Sequence, residues 1–358
     1  MAPSDPASRA EPPTDRNVKH VVLGDLLFPT WYQSIYPEDL VSKDTDRLYV
    51  CRWCFRYSCD SHAYAQHTRL CQHRTTPPGT KVYDHGGYSV WELDGECHKL
   101  YAQNLSLFAK LFLDHKSVFF DVVSFLYYLL VFTDPKDPDN YYVLGFFSKE
   151  KLSWDANNLA CILVFPPYQR KQLGKLLMGV SYKISSWERD SGLIGGPERP
   201  LSEMGRRSYT RFWEERIARY LLLQVGKTGE AEAPGSVPLK PKSPKNSKRK
   251  QTHELMTVQD IGLATGMLTE DVITALKGLG VVEPVTPAMR RKTRDSAGET
   301  GSGEETATVR IRKSKILEWA ESHHMALQDP VRNEGFLGKW APSASVEESD
   351  VDSDSEDG

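Results

Sequence analysis

Hydrophobic positions along the chain fall into short unbroken runs and helically spaced sets, separated by polar stretches. Leu159–Phe165 is apolar throughout and closes on Pro166 and Pro167, the pattern of a buried strand. Beyond it, Leu173, Leu176, Leu177, Val180, Ile184 and Trp187 recur at helical spacing and predict one apolar helix face. The segment between them, Tyr168 to Gly174, is a basic turn with a single glycine. A strand, a tight turn and a helix N-terminus leave unpaired backbone amides converging at the positive end of a helix dipole. Arg170 and Lys171 add charge, so this stretch predicts a phosphate or pyrophosphate site.

The same reading gives the flanking elements. Tyr88–Leu93 and Cys97–Tyr101 surround an Asp94-Gly95 pair, which predicts a hairpin. Leu105, Phe108, Ala109 and Phe112 predict a helix over 104–113. Val118–Val122 reads as a strand, Phe125–Phe132 as a buried helix, 134–140 as a loop and Tyr141–Phe147 as a strand. Residues 190–205 are rich in turn formers around one carboxylate, Glu198, and Ser208–Val225 resumes as a helix. His253–Val282 reads as two short helices. Thr257 and Asp260 form a variant capping box for the first, Thr269 and Glu270 start the second, and Gly280 ends it. Thr308–Ala326 gives a strand and a helix, with Phe336 and Trp340 as late apolar anchors. Strands and helices without strict alternation imply an α+β or mixed α/β fold and exclude an all-parallel sheet.

The polar stretches divide the chain. Residues 1–16 and the acidic tail 343–358 read as disordered, and 226–252 as a disordered basic linker. Between them lie an N-terminal segment, 17–78, an enzyme-like core, 79–225, and a helix-turn-helix-like segment, 253–342, with a polar insertion at 284–308. The net charge of −3 says little, because the charges are segregated: Lys240–Lys250 is basic and Glu347–Asp357 acidic. The linker's Lys248-Arg249-Lys250 is compatible with nuclear import, with DNA tethering or with simple solvation, and the tail with basic partners such as histones. The longest apolar run, Val122–Phe132, is too short to span a membrane. Met1–Arg16 has no secretory character, so the six cysteines are expected reduced.

Four residues in the N-terminal segment carry metal chemistry. Cys51 and Cys54 form a CxxC, and His67 and Cys71 follow four apart, the spacing of a ββα zinc finger with its last histidine replaced by cysteine. Cys59, His62 and His73 are off register. The finger's helix, about Ser61–Leu70, is not strongly basic, so a structural role outweighs DNA reading. The second C-terminal helix also offers few cations to phosphates, which favours packing there.

Several ordered stretches together resemble the MYST family of histone acetyltransferases, with the fungal silencing-type branch as the nearest expectation. They are Leu48–Cys54 with His67 and Cys71, Phe112–Ser117, Gly145–Glu150, Ala160–Leu163, Tyr168–Arg170 with Gly174–Leu177, and Gly196–Ser202. The resemblance runs from about Gly24 to Pro342. It implies that 79–225 is an N-acetyltransferase-like core that binds acetyl-CoA, with a zinc finger before it and a helix-turn-helix-like segment after it. It implies further that Cys161, Ile162 and Leu163 and the turn Gln169, Arg170, Lys171, Gln172, Leu173, Gly174 and Lys175 hold the acetyl group and pyrophosphate. By the same resemblance Ser202 contacts the cofactor and Lys116 is acetylated by the enzyme itself. The implied setting is nuclear, within a multisubunit acetyltransferase complex acting on histone tails, histone H4 first. One departure matters: where the family turn carries a glycine, this chain has Gln172. If that position needs positive φ, glutamine costs about 1–2 kcal/mol.

Acetyl transfer to a lysine needs a neutral amine, and at pH 7 roughly one lysine in a thousand is neutral, a barrier of about 4 kcal/mol. A carboxylate with a raised pKa can take that proton, and Glu198 is the expected base. Cys161 would carry the acetyl group as an intermediate or line the pocket during direct attack, with direct attack favoured. A backbone amide near Ile162 is the simplest donor to the tetrahedral oxygen. The alternative function is a catalytically weak chromatin adaptor that uses the finger and the C-terminal segment.

Overall fold

A computed structural model describes residues 16–188, 195–227, 253–283 and 308–342. The expected stretches 1–16, 226–252, 284–308 and 343–358 lie wholly or almost wholly outside the described residues, so those expectations are not addressed by it.

The N-terminal segment folds as β1 (Val18–Leu23), β2 (Leu26–Pro29), β3 (Thr45–Val50) and β4 (Tyr57–Ser58), in a sheet of order β2-β1-β3-β4, followed by α1 (Ser61–Leu70). The central sheet has β5 (Thr80–His85), β6 (Tyr88–Asp94), β7 (Phe125–Asp134), β8 (Asp137–Glu150) and β9 (Cys161–Val164) in sequential antiparallel order. Helix α2 (Lys99–Lys110) joins β6 to β7, and α3 (Leu173–Glu188) and α4 (Glu203–Lys227) follow β9. The C-terminal segment has β10 (His253–Thr257), α5 (Val258–Thr265), α6 (Thr269–Leu279), β11 (Val282–Glu283), β12 (Thr308–Arg312) and α7 (Lys313–Ser322), with a sheet of order β10-β12-β11.

Three expectations are corrected. Phe125–Phe132 is part of strand β7. Tyr127, Leu129 and Val131 pack into the core against α2, whereas Tyr128 and Leu130 pack into the core against α3. A strand covered on both faces has no polar alternation, so its apolar run is indistinguishable from a buried helix by pattern alone. Val118–Val122 forms no strand. The Asp94-Gly95 turn leads into α2, not into a second hairpin arm, because β6 pairs with the distant β7 and with β5 across Gly86-Gly87. The antiparallel sheet agrees with the expected mixed class.

Helix α3 is sandwiched. Leu173, Leu176, Leu177, Val180 and Ile184 face the central sheet, whereas Met178 and Tyr182 join α4, α5, α6 and α7 in a separate core. The capping box at Thr257 and Asp260 forms as expected, and Gly280 ends α6 in the left-handed conformation, φ 62°. Phe336 bridges to Tyr83 on the edge strand β5 and packs edge-on against Trp187, so the end of the described chain is tied to the sheet.

Candidate active site and metal centre

The metal centre is built by a hairpin and a capped helix. The amide of Cys51 donates to Arg56 O (2.8 Å), which closes the β3–β4 knuckle, and the Asp60 carboxylate accepts from the amide of His62 (2.8 Å) to start α1. His67 then lies in the last turn of α1 and Cys71 at its C-cap. The ligand atoms of Cys51, Cys54, His67 and Cys71 all lie within 4.8 Å of one another. Cys51 Sγ and Cys71 Sγ are 3.8 Å apart, and Cys54 Sγ and His67 Nε2 3.1 Å. A tetrahedron with zinc–sulfur bonds of ~2.3 Å has edges of about 3.8 Å, so the set fits zinc. Hydrogen bonds from Cys51 and Cys54 pull the Cys71 thiol down to about 2, while the bond with Cys51 pushes Cys54 far up. Three crowded thiols thus favour a single thiolate, and only a cation would let all three ionise. Cys59, His62 and His73 stand outside the set.

The knuckle also joins the finger to the core. Phe55 has φ 59° and is fully buried, with ring contacts to Tyr101, Phe108 and Phe165 at 5.4–5.7 Å. Helix α1 buries no residue of its own.

The turn after β9 is strained. Arg170 (φ 64°) and Gln172 (φ 63°) both adopt the left-handed conformation, and Arg170, Lys171 and Gln172 are all exposed. Gln169 Nε2 donates to Val164 O (2.9 Å), tying the start of the turn to the end of β9. Gln172 O accepts from Lys175 and Leu176, so Gln172 heads α3, with the amides of Leu173 and Gly174 in its first turn. A side chain at Gly174 would meet nothing within 4 Å, which leaves open space above those amides. Lys175 turns inward: its Nζ is 2.6 Å from Glu215 Oε1, a carboxylate also held by Arg211 and Arg219.

Opposite the turn, the Glu198 segment is stitched to the strand that enters β9. The amide of Asn158 donates to Gly196 O (2.9 Å), Leu159 pairs in parallel with Pro197, and the amide of Glu198 donates to Leu159 O (2.8 Å). This backbone pairing sets Glu198 alongside Leu159, two positions before Cys161. Lys116, from the loop after α2, brings its Nζ to 4.0 Å from Cys161 Sγ. Glu198 is exposed as a residue, yet desolvation, then the Glu150 charge, raise its pKa, with Lys116 opposing both. Burial pushes the Cys161 thiol up, Lys116 pulls it down and Glu198 pushes it up.

Ser202 caps α4: its hydroxyl accepts from the amide of Gly205 (3.1 Å) and its carbonyl from the amide of Arg206. Two features escape sequence reasoning. Glu150 lies in a stretch that carries the resemblance but gives no local sign of facing Glu198. Arg199, next to Glu198, pairs with Asp271, 72 positions on, and pairing at that range leaves no periodicity to read.

Residues 76–314 match the MOZ/SAS family, and residues 15–71 match the MYST family zinc finger domain. The chain is 38% identical over 260 residues to the Drosophila melanogaster protein named Histone acetyltransferase MOF (73% of this chain, 27% of that protein). It is 38% identical over 264 residues to the Caenorhabditis elegans Histone acetyltransferase Tip60 homolog (74% and 51%). It is 33% identical over 285 residues to Histone acetyltransferase SAS3 of Saccharomyces cerevisiae (77% and 31%). It thus spans about half or less of the length of these relatives, and their identities do not single out a fungal branch. No described helix is long and apolar enough to cross a membrane. A MOZ/SAS match and a finger match in the expected order, over an antiparallel core with a Cys3His cluster, mean that this chain belongs to the MYST (MOZ/SAS) family.

Proposed function

We propose that the protein is a protein-lysine acetyltransferase that moves the acetyl group of acetyl-CoA to lysines of histone tails, histone H4 first. The observation that carries this reading is the pairing of Glu198 with Leu159, which sets a carboxylate of raised pKa beside the Cys161–Lys116 pair. In the proposed step, Glu198 takes a proton from the substrate ammonium and the neutral amine attacks the thioester carbonyl. The backbone near Ile162 and Leu163 steadies the oxyanion; as the C–S bond breaks, the leaving coenzyme A sulfur takes the remaining extra proton of the attacking nitrogen, so the neutral amide and the coenzyme A thiol form together. Cys161 lines the pocket. Its raised pKa keeps it a thiol at neutral pH, a poor nucleophile, which supports direct attack over an acetyl-cysteine.

The turn Gln169 to Lys175 is the proposed pyrophosphate cradle: the first-turn amides of α3 at Leu173 and Gly174, with Arg170 and Lys171, meet the phosphates. Lys175 serves from the rear by steadying the start of α3 through Glu215. Ser202 remains a proposed cofactor contact through its free hydroxyl hydrogen, its oxygen being used as the cap. Lys116 is the proposed site of self-acetylation, and nuclear action within a multisubunit complex is part of the same reading. The reading divides the chain into a finger segment to 78, a catalytic core to 225 and a C-terminal segment from 253.

The test is transfer of labelled acetyl from acetyl-CoA to a histone H4 tail peptide. Glu198→Gln should lower kcat about a hundredfold or more, the usual worth of a general base, while Cys161→Ala retains most turnover. Transfer by Glu198→Gln at the wild-type rate sinks the base assignment. No transfer by wild type, even with partner subunits, favours the weak adaptor, a reading that the strained turn at Gln172 supports.

A further inference from the structure

We propose that Asp271, on helix α6 of the C-terminal segment, is a positioning residue that fixes the Glu198 loop by gripping Arg199. This rests on the reading of Glu198 as the base. The Glu198 loop is held on one side by backbone pairing to Asn158 and Leu159. On the other side the hold is electrostatic: Arg199 Nη2 pairs with Asp271 Oδ1, and Arg199 Nε lies 2.9 Å from Glu270 Oε1. The guanidinium also sits 5.9 Å from the ring of Trp213 on α4. The residue that follows the base is therefore anchored to two C-terminal carboxylates and lies over an α4 ring.

Asp271 is placed as a clamp would require. It is only 1% exposed, and its second oxygen, Oδ2, is buried with no hydrogen-bond partner. That oxygen is aimed at the same loop, 3.3 Å from where a Cβ would stand at Gly196. Helix α6 makes no use of the carboxylate as a side-chain N-cap, since its N-cap is Leu268. A buried, half-satisfied carboxylate is a poor device for stability but a good one for fixing geometry. Burial pushes Asp271 up to about 6, with Arg199 pulling it down and Glu270 pushing it up, and the hydroxyls of Tyr182 and Tyr209 face it from α3 and α4. Arg199 thus favours the ionised carboxylate that grips it. The consequence is that the C-terminal segment helps to position the Glu198 loop.

The experiment uses the full chain with saturating acetyl-CoA and histone tail peptide. Asp271→Asn should lower kcat tenfold or more and leave KM for acetyl-CoA within twofold. Arg199→Gln should do the same, and the double variant should be no worse than either. In the Glu198→Gln background, Asp271→Asn should change the residual rate less than twofold. Hydrogen exchange read independently of turnover should quicken at the amides of residues 198, 199 and 201 in Asp271→Asn, with Glu198 intact or not. Unchanged exchange and kcat in both single variants would overturn the proposal. So would a multiplicative loss in the Glu198→Gln background, or a fall in melting temperature matched by a rise in KM. Should Asp271→Asn not fold, Arg199→Gln carries the same comparison with α6 intact. A Glu198→Gln enzyme at full rate removes the base reading alone, because the exchange measurement still decides whether the clamp exists.

Discussion

Lys116 and Gln172 show how single positions tune the site. The Lys116 ammonium lowers the pKa of Glu198, against desolvation and Glu150. The proposed base acts deprotonated, so the rate should rise with pH through its pKa. Removing the charge in Lys116→Met should move the acidic limb of the kcat/KM profile to higher pH, and self-acetylation would do the same. A limb that moves down, or not at all, contradicts this coupling. Gln172 was expected to be costly only if its position needs positive φ, and φ is 63°. Left-handed backbone costs about 1–2 kcal/mol away from glycine. The turn is exposed, so in the free protein it can relax, and a ligand that locks it must meet that cost. Gln172→Gly should therefore tighten acetyl-CoA by about fivefold to thirtyfold in calorimetry, and an unchanged Kd would show that the strain is not coupled to binding.

At the level of elements, α3 depends on a charge cluster behind its N-terminus. Glu215, on α4, is 4% exposed and receives Lys175, Arg211 and Arg219. Burial opposes its ionisation, but Lys175 first and then the two arginines hold its pKa below the usual range. A depressed carboxylate stabilises the fold above its unfolded pKa and loses that contribution as pH falls through its folded pKa. Glu215→Gln should cost about 3 kcal/mol at neutral pH, as expected when one partner leaves a buried ion pair, with a smaller difference from wild type in acid. Equal melting temperatures at pH 7 would refute it. The misread elements belong here too. Phe125–Phe132 was expected to be a buried helix and is a strand, because β7 is buried on both faces and so lacks the alternation that marks a strand. The Asp94-Gly95 signal marked a real turn, but a turn residue does not specify which strand comes next.

For the whole molecule, the finger is a brace and not an appendage. Phe55 in the CxxC knuckle packs among Tyr101 and Phe108 of α2 and Phe165 at the end of β9. Arg52 reaches Asn140 and stacks over Tyr142 of β8 at 4.7 Å. Metal removal should therefore destabilise more than the first 78 residues. Chelation should lower the melting temperature of the entire chain by several degrees, since structural zinc binding contributes directly to folding free energy. A transition unchanged on chelation, with zinc shown to be lost, would disprove the brace.

The sequence alone determined what is local. Cys51, Cys54, His67 and Cys71 were legible because a hairpin and one helical turn fix their spacing. The strand, turn and helix from Leu159 to Trp187 were legible because apolar period and turn residues act within a few positions. The caps at Thr257 and Gly280 were legible for the same reason. What only the tertiary structure decided is how distant pieces meet: Lys116 against Cys161, Glu150 against Glu198, Arg199 against Asp271. Such encounters are fixed by packing across the sheet and between α3, α4 and α6, and long-range electrostatics leaves no periodic trace in the order of residues along a chain.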